Sequence, residues 1–99
     1  MGQVHIKGRI LQLLARAESL WDYEIVDVIT KEYGLSGPYW VGTVRMTLTD
    51  LHAGGLVDYI ESKVDEGPGG GGERLLNRYR LNGFGRKRMR QTGLMEGVA

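Results

Sequence analysis

The apolar residues of this chain change their spacing once, at Gly54–Gly55, and that change divides it into a helical part and a sheet part. Before the glycine pair they recur every three or four residues, the period of a helix with one buried face; after it they alternate, the period of a strand. Ile6, Ile10, Leu13, Leu14 and Ala17 lay one stripe along a first helix, His5 to Ala17. A second helix is expected from Asp22, a favoured N-cap residue, through Ile25, Val26, Ile29 and Tyr33 to Gly34. Gly34 to Trp40 contains two glycines and Pro38 and reads as a loop. Val44, Leu48 and Leu51 predict a third helix from about Gly42 to Ala53, stopped by Gly54–Gly55.

Leu56 to Val64 and Leu75 to Leu81 then read as two strands, rich in β-branched, aromatic and alternating residues. The segment 65–73 between them is dominated by glycine and is expected to form the tip of an antiparallel hairpin. Gly83 to Gln91 is a basic, helix-compatible end, and 92–99 is expected to be a short frayed tail. The chain of 99 residues is expected to hold a single domain over 1–91. The fold class expected is α+β: a winged helix-turn-helix of three helices, a two-stranded antiparallel wing and a short basic C-terminal segment.

Function classes narrow by elimination. The chain has no cysteine, and His5 and His52 stand apart from any ligand spacing, so no metal, cofactor or nucleophile–base constellation is expected, and no enzyme. The glycine run lacks the Lys-Ser or Lys-Thr of a phosphate-binding loop. No apolar run approaches the roughly 18 residues that cross a bilayer, and the expected location is cytoplasmic. Charge is the informative quantity. Residues 1–73 carry six Lys/Arg against eleven Asp/Glu, whereas 74–90 carry seven cations and no acid. A basic end on an acidic body points to a polyanion, nucleic acid being the commonest; the plain alternative is a solvated face.

Ile10 to Leu14, Trp21-Asp22-Tyr23-Glu24-Ile25, Gly42-Thr43-Val44 with Leu48 and Leu51, Gly55-Leu56-Val57, and Arg78-Tyr79-Arg80-Leu81 with Gly85 together resemble the PadR-type transcriptional regulators. The resemblance runs from about residue 8 to 90 and implies a winged-helix, DNA-binding repressor that acts as a homodimer. Family members carry a long dimerisation helix after the wing; this chain ends at Ala99 and is expected to be a short member lacking it.

The residues themselves predict which side chains meet double-stranded DNA. Opposite the buried stripe of the third helix lie Gly42, Thr43, Met46 and Thr49, with Arg45 on one flank as the only fixed cation and Asp50 opposing phosphate. On the wing, Lys63, Arg74, Arg78 and Arg80 are expected to meet backbone or minor groove, Arg78 and Arg80 sharing one strand face while Tyr79 and Leu81 pack on the third helix. Arg86 and Lys87 extend this basic set. Trp21 and Trp40 are expected as core. The competing reading is a winged-helix protein-interaction module or accessory factor that uses the uncharged helix face.

Overall fold

The computed structural model describes residues 5–65 and 74–97. The elements run α1 (Ile6–Arg16), β1 (Leu20–Trp21), α2 (Asp22–Tyr33), α3 (Pro38–Ala53), β2 (Val57–Asp65), β3 (Arg74–Leu81) and α4 (Gly83–Thr92), then a 3-10 turn at Leu94–Gly97. The expected glycine-rich tip, apart from Asp65, lies outside the described residues.

The three periodic segments bury the stripes that identified them. Ile10 and Leu14 of α1, Ile25 and Ile29 of α2, and Val44, Leu48 and Leu51 of α3 have no exposed surface and meet Val57, Leu81 and Met89 from the sheet and α4. Each such side chain contributes about 1.5–3 kcal/mol by leaving water, which holds three short helices together that none could sustain alone. Helix α2 ends where Gly34 takes the left-handed conformation (φ 66°). On its outer side Glu32 accepts two hydrogen bonds from the Arg9 guanidinium, at 2.8 and 2.9 Å, tying α2 to α1.

Three boundaries differ from expectation. Asp22 is the first residue of α2 rather than its cap; the carboxylate of Glu24 accepts the Trp21 amide at 2.9 Å, which frees the Asp22 side chain to turn inward. Helix α3 starts at Pro38, about a turn before Gly42. Proline at the first helical position has the required φ and no amide to satisfy, so the loop shrinks to 34–37 and Tyr39 and Trp40 become helical. The tail does not fray at Leu94–Gly97: the Leu94 carbonyl accepts a hydrogen bond from Gln12 Nε2 at 3.1 Å, and Leu94 and Met95 pack on the core.

The sheet has three antiparallel strands in the order β1-β3-β2, not two. The added strand pairs Leu20 with Tyr79 and Trp21 with Arg78. Strands β2 and β3 pair Val57 with Leu81, Asp58 with Arg80 and Tyr59 with Tyr79, but then Glu61 with Arg78. Ile60 is therefore an extra residue, a bulge that inverts the facing of everything beyond it on β2. Glu61 and Lys63, which strict alternation would turn toward the core with Val57 and Tyr59, share the outer face with Arg78 and Leu76.

The basic end is an ordered helix. The Asn82 side chain accepts the Gly85 amide at 2.8 Å, and its Nδ2 donates to the Gly55 carbonyl at 2.8 Å and to Asp58 at 3.0 Å. A Cβ at Gly85 would overlap the Leu56 carbonyl oxygen and come within 2.5 Å of Leu81 Cδ1, so α4 seats against the wing base at a distance only glycine permits.

Candidate nucleic-acid interface

Helix α3 presents Tyr39, Gly42, Met46, Thr49 and Asp50 to solvent. Tyr39 is 72% and Met46 63% exposed, although both are large and apolar. With Pro38, Gly42, Thr43 and Thr47 they line an open groove of about 460 Å³. Gly42 sits in the second turn with nothing within 4 Å of where its Cβ would stand. Threonine hydroxyls on this helix donate one turn back, Thr43 to the Tyr39 carbonyl at 2.9 Å and Thr49 to the Arg45 carbonyl at 3.2 Å. Their protons are committed, so toward a partner they offer methyl groups and acceptor lone pairs. Such a surface suits thymine methyls and the amino groups of adenine or cytosine.

Arg45 does not join that face. Its Nη2 lies 3.9 Å from Asp22 Oδ2, and the two side chains are 29% and 5% exposed. The same Asp22 oxygen accepts the Asn77 amide of β3 at 3.2 Å. Arg45 and Asp22 thus tie α3 to the start of α2 and to the wing. Arg45 Nε, Asp22 Oδ1 and Asn77 Oδ1 are buried without a protein partner, around a cavity of about 70 Å³ that also touches Thr49 and Tyr79. Burial also pushes the Tyr79 phenol above its ordinary pKa.

On the wing, Arg78 and Arg80 share a face as expected, and it is the face turned away from α3, as the packing expected for Tyr79 requires: the alternate residues Asn77 and Tyr79 border that helix. Both guanidiniums are engaged. Arg80 pairs with Asp58 at 3.4 Å. Arg78 pairs with Glu61, donates to Ser19 Oγ at 3.0 Å and lies 5.8 Å from the Trp21 ring centre. The Asn82 hydrogen bond, with help from Arg80, holds the Asp58 carboxyl below its usual range. Lys63 Nζ stands 4.4 Å over Trp21, which stacks on Tyr23. Trp21 is accordingly a half-buried platform under the wing cations, and Trp40 packs edge-on against Tyr39; neither is fully buried core. Arg74 opens β3 opposite Asp65.

The cations of α4 stand in contrast. Arg86 is half-buried, and Lys87, Arg88 and Arg90 are exposed. Among the described residues no carboxylate pairs with any of them. The basic run read as one unit along the chain therefore divides in space into Arg78 and Arg80, paired on the wing, and a helix whose cations have no carboxylate partner among the described residues. Tyr39 escapes the sequence reading; its signal is Pro38 acting as a helix starter rather than a loop residue.

No protein-family model and no curated protein matches the chain. The fold is similar to that of a protein from Thermoplasma acidophilum provisionally assigned as a transcriptional regulator, known from its crystal structure. The match has a TM-score of 0.60 at 21% identity and covers 87% of this chain and 74% of that one. What the two share at this identity is the winged-helix-like α+β arrangement. No helix among the described residues is long and apolar enough to cross a membrane.

Proposed function

We propose that this protein is a transcriptional regulator of the PadR type that binds double-stranded DNA through the outer face of α3 and represses by occupying its operator. The observation that carries this reading is Gly42. Glycine inside a helix costs about 0.5–1 kcal/mol relative to alanine, and the fold gains nothing from it here, since nothing lies within 4 Å of the missing Cβ. A bare stretch of backbone between exposed Tyr39 and Met46 lets another surface approach the helix closely, as a base edge must in a major groove. Gly42, Thr43, Met46 and Thr49 are the base-reading candidates. One helix reads few base pairs, so a homodimer on a two-fold related site is part of the proposal.

The test is enrichment of duplexes from a random library, followed by anisotropy titration of the selected sequence. A defined motif is expected, with at least a tenfold loss of affinity in Met46→Glu, which alters an exposed position. Absence of any enriched sequence, or equal binding by the variant, overturns the reading. The uncharged, apolar character of the same face favours a second reading, a protein-interaction module. A stoichiometric partner that survives nuclease and is lost in Met46→Glu would establish it.

A further inference from the structure

Helix α4 carries Arg86, Lys87, Arg88 and Arg90 within five positions and has no acidic residue. Gly85 and Met89 are its buried residues. At about 100° per residue, Arg90, Lys87 and Arg88 then spread over the whole outward arc. Elsewhere Arg9 pairs with Glu32, Lys31 with Asp27, Arg45 with Asp22, Arg78 with Glu61 and Arg80 with Asp58, while Lys7, Arg16 and Lys63 pair with no carboxylate among the described residues. On α4 none is neutralised by any described residue. The arrangement is unfavourable for the helix alone. Arg86–Arg90 and Lys87–Arg90 are like-charge pairs at helical spacing; Arg86, in the first turn, also opposes the helix dipole, which Arg90, in the last turn, complements.

A solubilising surface needs no such concentration and would tolerate interspersed acids. A polyanion relieves the like-charge repulsion. The platform is also held rigidly, by the Asn82 hydrogen bonds to Gly55 and Asp58, the close seat of Gly85 on Leu56 and the fully buried Met89. Contacts made from it lose little backbone freedom on binding. Lys7 faces the same region, lining with Arg88 an open cleft of about 400 Å³ between α1 and α4.

We propose that the outer arc of α4 is a second, sequence-independent interface for the phosphates of duplex DNA, with Lys87, Arg88 and Arg90 as its contacts. It rests on the reading of duplex DNA as partner but not on base recognition by α3. The partner is duplex rather than an acidic protein because these closely spaced cations match a uniform line of charge that carries no shape or sequence information; the exposed Phe84 and Gln91 of the same helix flank them.

The test titrates a random-sequence duplex with the full chain, wild type and Lys87→Gln/Arg88→Gln/Arg90→Gln, across salt concentrations. Three exposed neutral substitutions leave the core intact, which an unchanged thermal melt checks. Three lost phosphate contacts reduce the log–log salt slope by about 2.7 and the affinity at 0.1 M salt by about 500-fold. Arg80→Gln, whose guanidinium is already paired, reduces the slope by less than about one. If wild type binds and the triple variant keeps its slope, the α4 interface is refuted while base reading by α3 stands. If the slope falls but no operator can be selected, α4 is supported and the α3 reading fails. Failure of wild type to bind any duplex refutes both. Tighter binding to an RNA duplex of equal length at equal salt shows DNA to be the wrong occupant and overturns the proposal.

Discussion

Replacing Gly42 by alanine separates what the fold needs from what the surface does. The residue is helical, exposed and without neighbours within 4 Å of a new Cβ, so the substitution adds no packing and no clash. What remains is the backbone term, a gain of about 0.5–1 kcal/mol from the smaller conformational freedom of alanine in the unfolded chain. For a domain of this size, 1 kcal/mol moves Tm by roughly 4–8 °C, so an increase of about 2–8 °C is expected by circular dichroism. The same methyl group thickens the α3 surface between Tyr39 and Met46. If base edges come against the backbone there, affinity for the selected operator falls at least tenfold, or about 1.4 kcal/mol, while the salt slope set by phosphates is unchanged. A lower Tm would show that glycine serves the fold itself and would remove the observation on which the function rests. A higher Tm with unchanged affinity would show that nothing approaches α3 at this position.

Gly85→Ala is the opposite case on α4. Overlap with the Leu56 carbonyl oxygen cannot be relieved by a side-chain rotation, so a net loss of about 1–2 kcal/mol is expected after the helix-propensity gain, whereas Gly83→Ala, the first residue of the same helix with nothing within 4 Å, is expected to gain up to about 0.5–1 kcal/mol in the same urea titration. Asp22→Asn leaves the half-buried Arg45 without its counter-charge and is expected to cost about 1–3 kcal/mol. Adding Arg45→Met to it should restore most of that loss, and equal destabilisation by the double variant would show that the pair is not coupled. The Arg9 hydrogen bonds hold the Glu32 carboxyl below its ordinary value of 4.5, so the pair stabilises fully above that pH and its contribution disappears as pH falls through the lowered value. Glu32 is partly exposed, so the contribution is below about 1 kcal/mol; the Tm difference between wild type and Glu32→Gln should shrink on acidification and with added salt. A difference constant down to about pH 2 would exclude the ion pair as its cause.

Much of the fold was legible because it is written in local periods. Ile10, Leu14, Ile25, Ile29, Val44, Leu48 and Leu51, whose spacing identified α1, α2 and α3, are fully buried, and the switch to alternation located the wing. The misses have physical reasons. Two residues, Leu20 and Trp21, are too few to show a period, so β1 could not be read before β3 was there to pair with it. One added residue, Ile60, leaves no compositional trace, yet it turns Glu61 and Lys63 to the other face of the sheet.

The candidate site was legible in part. The outward face of α3 follows from its buried stripe, and Gly42, Met46 and Thr49 lie on it. The basic residues were visible as a run, but a run says nothing about which of its members are free. By itself the sequence determined the helices, the strand period, the absence of cysteine chemistry and the concentration of positive charge toward the C-terminal end, because each depends on residues a few positions apart. Only the tertiary structure decided that Arg45 turns toward Asp22, that Arg78 and Arg80 are neutralised and that the cations of α4 meet no carboxylate among the described residues. Those outcomes hang on partners far along the chain, Asp58 22 positions from Arg80 and Asp22 55 positions from Asn77, and charge pairing is a matter of distance in space.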